Sequence, residues 1–412
     1  MRITFINKSD SVGGAAVVTL RLVEALRQLG HDARLVVTDR RTDREYVALG
    51  GSEGRIRTAF LADRLPLLLS NGFRRSTLFQ IDAARAGLPL WRHDWVRNAD
   101  AIVLGWINQG VLSLDGIRRI GLLNKPLLWT LHDMWALTGV CHHAHDCQGY
   151  RRMCGNCQLL GGAASGNDLS AVMMERKRRL YDRVDIQFVA VSRWLAEKAR
   201  ESTLLGEERV AVIPNPYPVQ PMPRRKGSPT GHIVMAAARL DDPIKGFPLL
   251  IEAVRALRRR NPQLTAGLHF DLIGEMRNPE AAKALEAEYT LHGMISDSAR
   301  MRQLYAAADA VVSPSLFETL PGTLVEAQDC GAVPVAFDRG GQRDIIVPGK
   351  TGFIAPWNDD PRRAGENFAD SLVQALELAA DPATPKLLHE AVVNNFAAEK
   401  VARQYVQLIE NQ

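Results

Sequence analysis

Short unbroken apolar runs alternate along this chain with longer stretches in which apolar residues return at helical spacing. The runs at 3–6, 33–37, 101–105, 126–131, 185–192 and 210–213 have the length and composition of strands buried on both faces. Between the first two, Val17, Leu20, Leu22, Val23 and Leu26 mark a helix over 15–29 that Gly30 closes. The alternation stops near Pro214 and resumes at 232–238, 268–273, 310–314 and 332–337. Such an order predicts an α/β chain with two parallel, Rossmann-like halves. Between the halves Pro214, Pro216, Pro218, Pro221 and Pro223 are followed by Arg224, Arg225 and Lys226, the composition of a linker. The expected division is a first domain at 1–214, a linker at 215–229 and a second domain at 230–390. A closing helix, read from 385 to 412, packs its 391–412 part back on the first domain.

The densest chemistry follows the run at 310–314. Pro321-Gly322 makes a tight turn, and 323–330 reads as a helix stopped by Gly331. A strand, a loop and a helix N-terminus present free main-chain N–H groups and the positive end of a helix dipole, which suits a phosphate. Glu318 lies in the loop, and Glu326 is read in the first helical turn. Two acceptors edging a phosphate pocket suit a nucleotide-sugar, one for sugar hydroxyls and one for ribose. Taken singly, each feature reads as readily as a plain turn or a dipole partner.

Ligands of doubly wound sheets bind beyond the carboxyl ends of strands. Arg239 and Lys245 stand at that end of the run at 232–238, where a guanidinium fork and an ammonium could meet phosphate oxygens. Gly274 ends the next run. Gly13-Gly14 follows the first strand and allows close backbone approach, although no G-x-G-x-x-G fingerprint is present. His132-Asp133 follows the run at 126–131 directly.

Composition narrows the class. The chain has 412 residues, 46% of them apolar and 24% charged, with a net charge of +5. That is ordinary for a soluble globular protein of two or three domains and demands no nucleic acid. No run approaches the ~20 apolar residues of a membrane span, and the start at Met1 reads as a strand, so a cytoplasmic protein is expected. Between 55 and 75, leucines mix with Arg55, Arg57, Arg64, Arg74 and Arg75, which reads either as a helix packed on the sheet or as a contact with an anionic membrane face. Cys141, Cys147, Cys154 and Cys157 crowd one segment with His142, His143 and His145. Clustered cysteines in a reducing compartment favour metal, and these four could hold a structural zinc. Their spacing fits no standard zinc knuckle, so reduced or bridged thiols stay open.

Together these residues resemble glycosyltransferase family 4, the retaining nucleotide-sugar enzymes of GT-B fold. Glu318 and Glu326 with Leu320, Pro321 and Gly322 between them resemble that family's donor signature. Arg239-Leu240 and Lys245-Gly246 resemble its diphosphate pair, with Asp242-Pro243-Ile244 filling the gap between them. Ile213-Pro214-Asn215-Pro216 and Thr351-Gly352-Phe353 match further segments, and His132-Asp133-Met134-Trp135 with the Cys/His loop resembles enzymes of bacterial surface polysaccharides, colanic-acid type among them. The resemblance implies a GT-B protein, two Rossmann-like domains facing each other across a cleft. It assigns Glu318 to the transferring sugar, Glu326 to ribose, and Arg239 and Lys245 to the departing diphosphate without a catalytic metal. Main-chain amides after Leu320 through Thr323 assist them, with Gly274, Gly13 and Gly14 lining the donor, and His132 touching the donor sugar or the acceptor region. The implied partners are a UDP- or GDP-sugar and a saccharide or polyprenyl-linked acceptor, met at the inner face of the cell membrane. A nucleotide-sugar epimerase of the same architecture, or a non-catalytic binding module built on the Cys/His loop, are the competing readings.

Overall fold

The computed structural model describes residues 1–206, 209–223 and 229–412, and the chain forms two compact units. One holds Met1–Pro216 together with Ala398–Gln412, the other Tyr217–Ala397. Residues 224–228 of the expected linker lie outside the described residues.

In the first unit the strands are β1 (Arg2–Ser9), β2 (Asp32–Asp39), β3 (Val47–Leu49), β4 (Ala101–Leu104), β5 (Leu127–Leu131), β6 (Gln187–Ala190) and β7 (Val210–Val212). They form one sheet in the order β3-β2-β1-β4-β5-β6-β7. The second unit carries β8 (His232–Arg239), β9 (His269–Glu275), β10 (Glu288–Gly293), β11 (Ala310–Ser313), β12 (Val333–Phe337) and β13 (Phe353–Ala355). Their order is β10-β9-β8-β11-β12-β13. Each pairing is parallel. Each sheet therefore turns back on itself at one place, between β1 and β4 and between β8 and β11. That reversal is where loops splay apart and leave a crevice for a ligand.

Both cores follow from the apolar runs. In the first unit Ile3, Phe5, Val23, Leu26 and Leu35 are buried together with Tyr405 from the closing helix. The Tyr405 hydroxyl lies 2.9 Å from the Thr130 hydroxyl, which places the helix Ala398–Glu410 on this sheet. The second core gathers Ile233, Leu250, Phe270, Val312 and Phe368.

The structure departs from the sequence reading in three places. β3, β10 and β13 have no counterpart among the expected strands, and all are edge strands. An edge strand needs no apolar run, and in β10 no residue is buried. The expected single helix over 385–412 is two helices, Thr384–Phe396 and Ala398–Glu410. Ala397 breaks them because it leaves helical geometry, at ψ 127°, and bridges to Tyr217. Lastly, Glu326 is not in the first turn: the helix begins at Gly322, one residue early, and no acid occupies its first turn.

Candidate functional site

The second unit's crevice is built from the ends of β8 and β11. After β8 the chain makes a single tight turn over Pro243–Lys245, capped by Asp242, whose carboxylate accepts the Ile244 amide at 3.1 Å. Asp242 also accepts from the Arg239 guanidinium at 2.6 Å, so the residues filling the Arg239–Lys245 gap form a small clamp on the arginine. The Leu316 amide donates to the Ile244 carbonyl at 2.7 Å, tying this turn to the loop after β11. The tie brings the Lys245 ammonium to 2.7 Å from Glu318 Oε1. Both side chains are only partly exposed, at 27% and 19%.

A third loop fixes Glu318 from behind. The Gly341 amide donates to the Glu318 carbonyl at 2.9 Å, and Gly340 bridges the same residue. A Cβ at Gly340 would stand 1.8 Å from that carbonyl oxygen, and Gly340 has φ +155°. Only glycine fits there. Leu320 and Pro321 are buried, while Gly322 and Thr323 open the helix Gly322–Asp329 with unfilled space beside Gly322. The first amides of a helix have no partner within it, so this end can accept an anion. Glu326 is half-buried one turn further along. Gly274 is glycine for a different reason from the expected one: at φ +138°, its missing Cβ would lie 1.8 Å from the Ala237 carbonyl of β8. Sequence reading also passed over Arg339, which donates to the Leu316 carbonyl at 3.4 Å beside the same loop.

In the first unit the carboxyl ends of β1, β4 and β5 carry Gly13-Gly14, Trp106 and His132-Asp133. Gly13 and Gly14 are exposed at the start of the helix Gly14–Gln28, with open space where side chains would be. Asp133 does not act as a simple pair with His132. Its Oδ2 accepts from the Trp106 indole at 2.7 Å and lies 2.7 Å from His142 Nδ1, and its Oδ1 takes the Trp135 amide. His142 stacks on Trp106. Burial raises the Asp133 carboxyl, but His142 and the Trp135 amide outweigh it and hold it down at about 2. His132 points instead to a small recess with Phe5, Thr19, Gly105 and Thr130. Burial lowers its imidazole to about 4, against a smaller opposing pull from Asp133, so it is neutral at pH 7. The sequence marked His142 only as a member of the Cys/His segment; its contact with Asp133, made through an irregular loop, left no pattern.

Cys141, Cys147, Cys154 and Cys157 line one cavity with His143 and His145. All four are free thiols. Among the described residues, no three His, Cys, Asp or Glu side chains already converge as metal ligands.

Comparison with known proteins decides the family. Residues 12–220 match the model described as Glycosyltransferase Family 4, and residues 231–377 match that of Glycosyl transferases group 1. The chain belongs to glycosyltransferase family 4. Among curated relatives, a D-inositol 3-phosphate glycosyltransferase of Stackebrandtia nassauensis is 29% identical over 41% of this family 4 chain and 40% of its own length. Another, from Pseudarthrobacter chlorophenolicus, is 24% identical over 76% of this chain and 69% of its own. A putative colanic acid biosynthesis glycosyl transferase, WcaC of Escherichia coli K12, is 23% identical over 54% of the chain and 55% of the relative. The family 4 chain thus spans about two fifths of the length of the first of these relatives. Among solved structures, Anabaena HepE in complex with UDP superposes with a TM-score of 0.62 at 17% identity over 100% of both chains. The apo form of the lipopolysaccharide outer core galactosyltransferase WaaB gives 0.61 at 15%, again over 100% of both. These likenesses show the fold: GT-B, built of two Rossmann-like domains.

Proposed function

We propose that this family 4 protein moves a sugar, with retention of configuration, from a nucleoside-diphosphate sugar to a saccharide or lipid-linked acceptor of a surface polysaccharide. The observation that carries the reading is the meeting of Lys245 and Glu318 at the reversal point of the second sheet, with Arg239 on the adjoining turn. In this scheme Lys245 and Arg239, with the open amides of the helix Gly322–Asp329, take up the charge that develops on the leaving diphosphate. Charge stabilisation by groups fixed beforehand commonly contributes more to such catalysis than any other effect. Glu318 then holds Lys245 in place and receives a hydroxyl of the transferring sugar, and Glu326 a ribose hydroxyl. A β-phosphate oxygen accepts the acceptor's proton, so no separate enzymic base is assigned. Gly13 and Gly14 approach the donor diphosphate or the acceptor, and His132 the donor sugar or the acceptor region, where a neutral imidazole can exchange hydrogen bonds with sugar hydroxyls.

Family membership favours transfer over the epimerase reading, and HepE, solved with UDP and with UDP-glucose, favours a UDP-sugar over a GDP-sugar. Thermal shift against UDP, GDP and ADP tests the base. A ligand at 100-fold its Kd stabilises by about 2.7 kcal/mol, and stabilisation by none of the three would remove the donor site. An epimerase would release or convert the sugar without acceptor, whereas a transferase requires one.

A second feature favours work at an anionic membrane face. Leu61, Leu65, Leu69 and Phe73 recur every four residues along and just beyond the helix Glu53–Ser70, exposed at 40%, 55%, 63% and 67%. Arg55, Arg57, Arg74 and Arg75 are exposed around them. Arg64 takes no part, being buried between Asp63 and Asp82. No helix among the described residues is long and apolar enough to cross a membrane, so contact would be peripheral.

A further inference from the structure

We propose that Cys141, Cys147, Cys154 and Cys157 bind one zinc ion through four thiolates, as a clip on the loop that follows β5. This site stands apart from the transfer reaction and does not depend on it.

All four cysteines line one cavity of about 390 Å³. Main-chain donors are already turned toward two of them. The Gly149 amide donates to Cys147 Sγ at 3.5 Å and the Gly139 amide to Cys154 Sγ at 3.2 Å. An N–H aimed at sulfur stabilises negative charge there, which a thiolate carries and a disulfide does not. The wall beside Gly149 leaves room for this: a Cβ there would lie 3.5 Å from Cys147 Sγ and 3.8 Å from Cys154 Sγ.

A buried cation completes the surroundings. Lys177, fully buried, donates to the carbonyls of Trp135, Thr138 and Gly139. It is one peptide unit from the amide that serves Cys154. A zinc ion with four thiolates carries a net charge of −2, and a cation held nearby offsets part of it. The sulfurs do not yet converge as a ligand set. Each swings about a single torsion, χ1, between staggered positions, so closure requires rotation of side chains that share a cavity already. Four soft sulfur donors select zinc over magnesium or calcium.

The clip has a reason to be where it is. His142 follows Cys141 directly and holds Asp133, so pinning the cysteine loop pins the carboxylate at the end of β5.

The test is elemental analysis of the full chain, purified under reducing conditions with no metal added, alongside intact mass and thiol counting. One zinc per chain is expected, with the four loop cysteines unreactive until the metal is displaced and the buried Cys330 counted only after unfolding. Cys147→Ser and Cys157→Ser should lose it, while Cys330→Ser and the double variant His143→Ala/His145→Ala keep it. Cobalt substitution should give the visible bands of a tetrahedral thiolate site. A metal-free wild-type chain whose four loop thiols react freely overturns the proposal. So does a mass showing disulfides, or loss of zinc in the histidine variant. Because the first measurement uses wild-type protein, a variant that fails to fold leaves the answer intact.

Discussion

The ammonium of Lys245 lies 2.7 Å from the carboxylate of Glu318, across 73 residues of sequence. The pair orients a cation that would otherwise sample many rotamers, and its carboxylate remains available to a hydroxyl. Replacing either residue by alanine is expected to lower kcat/KM at least 100-fold, about 3 kcal/mol of transition-state stabilisation, while circular dichroism stays native. Since the two side chains touch, the double variant should lose less than the sum of the singles. Unimpaired transfer in either single variant would end the assignment.

Gly340 makes a sharper test, because it contacts no substrate in this scheme. Its Cβ would collide with the Glu318 carbonyl, and its φ of +155° disfavours any side chain. Gly340→Ala should therefore shift the Glu318 loop, reducing activity at least tenfold and stability by roughly 1–3 kcal/mol. Activity that survives with an unchanged melting temperature would mean that Glu318 is placed by something else.

Much of this was readable in the chain. Buried parallel strands carry continuous apolar runs, so the central strands and the carboxyl ends bearing Arg239, Lys245, Glu318 and His132 follow from pattern alone. What stayed hidden depends on contacts through irregular loops, which leave no period. The Asp133–His142 pair spans a loop whose turns come from side-chain bonds. Lys177, in the helix Leu169–Tyr181, stands among charged neighbours and reads as a solvated cation, yet it is fully buried. The edge strands β3, β10 and β13 carry no apolar run to mark them, whereas the edge strand β7 does and was legible at 210–213.

Lys177 yields a prediction of its own. Its ammonium satisfies three carbonyls, two of them at 2.9 and 3.1 Å, and sits 3.5 Å from the centre of the Trp135 ring. Lys177→Leu keeps the bulk and leaves those acceptors buried and unpaired, which should cost about 3 kcal/mol or more. Urea denaturation of the variant measures it. A loss under about 1 kcal/mol would show that water replaces the ammonium.

The pH dependence of stability should carry the mark of His132. Its folded imidazole is held near 4, below the ordinary 6.5 of an exposed histidine. Between those values the unfolded chain takes up a proton that the fold refuses, so stability falls as pH drops from about 6.5 toward 4. The ceiling is roughly 3 kcal/mol. Asp133, held at about 2, loses its contribution only at lower pH, from about 4 downward, so the two effects separate. Comparing wild type with His132→Phe by urea midpoints at pH 7, 5.5 and 4.5 isolates the histidine's share. Parallel losses in both proteins would assign the acid sensitivity elsewhere.

The leucine row on the helix Glu53–Ser70 can be tested without touching the transfer site. Leu65 and Leu69 are more than half exposed, so Leu65→Glu and Leu69→Glu should leave the melting temperature nearly unchanged. If these side chains enter the headgroup region, each buried leucine contributes up to about 1.5–3 kcal/mol to binding. The double variant should then fail to sediment with anionic vesicles that carry down the wild type. The exposed arginines add an attraction that salt screens beyond about 10 Å at 0.1 M. Arg74→Glu/Arg75→Glu should therefore weaken binding most at low ionic strength and flatten its salt dependence. A wild-type chain that stays in the supernatant at every salt concentration would leave the exposed row without a membrane role.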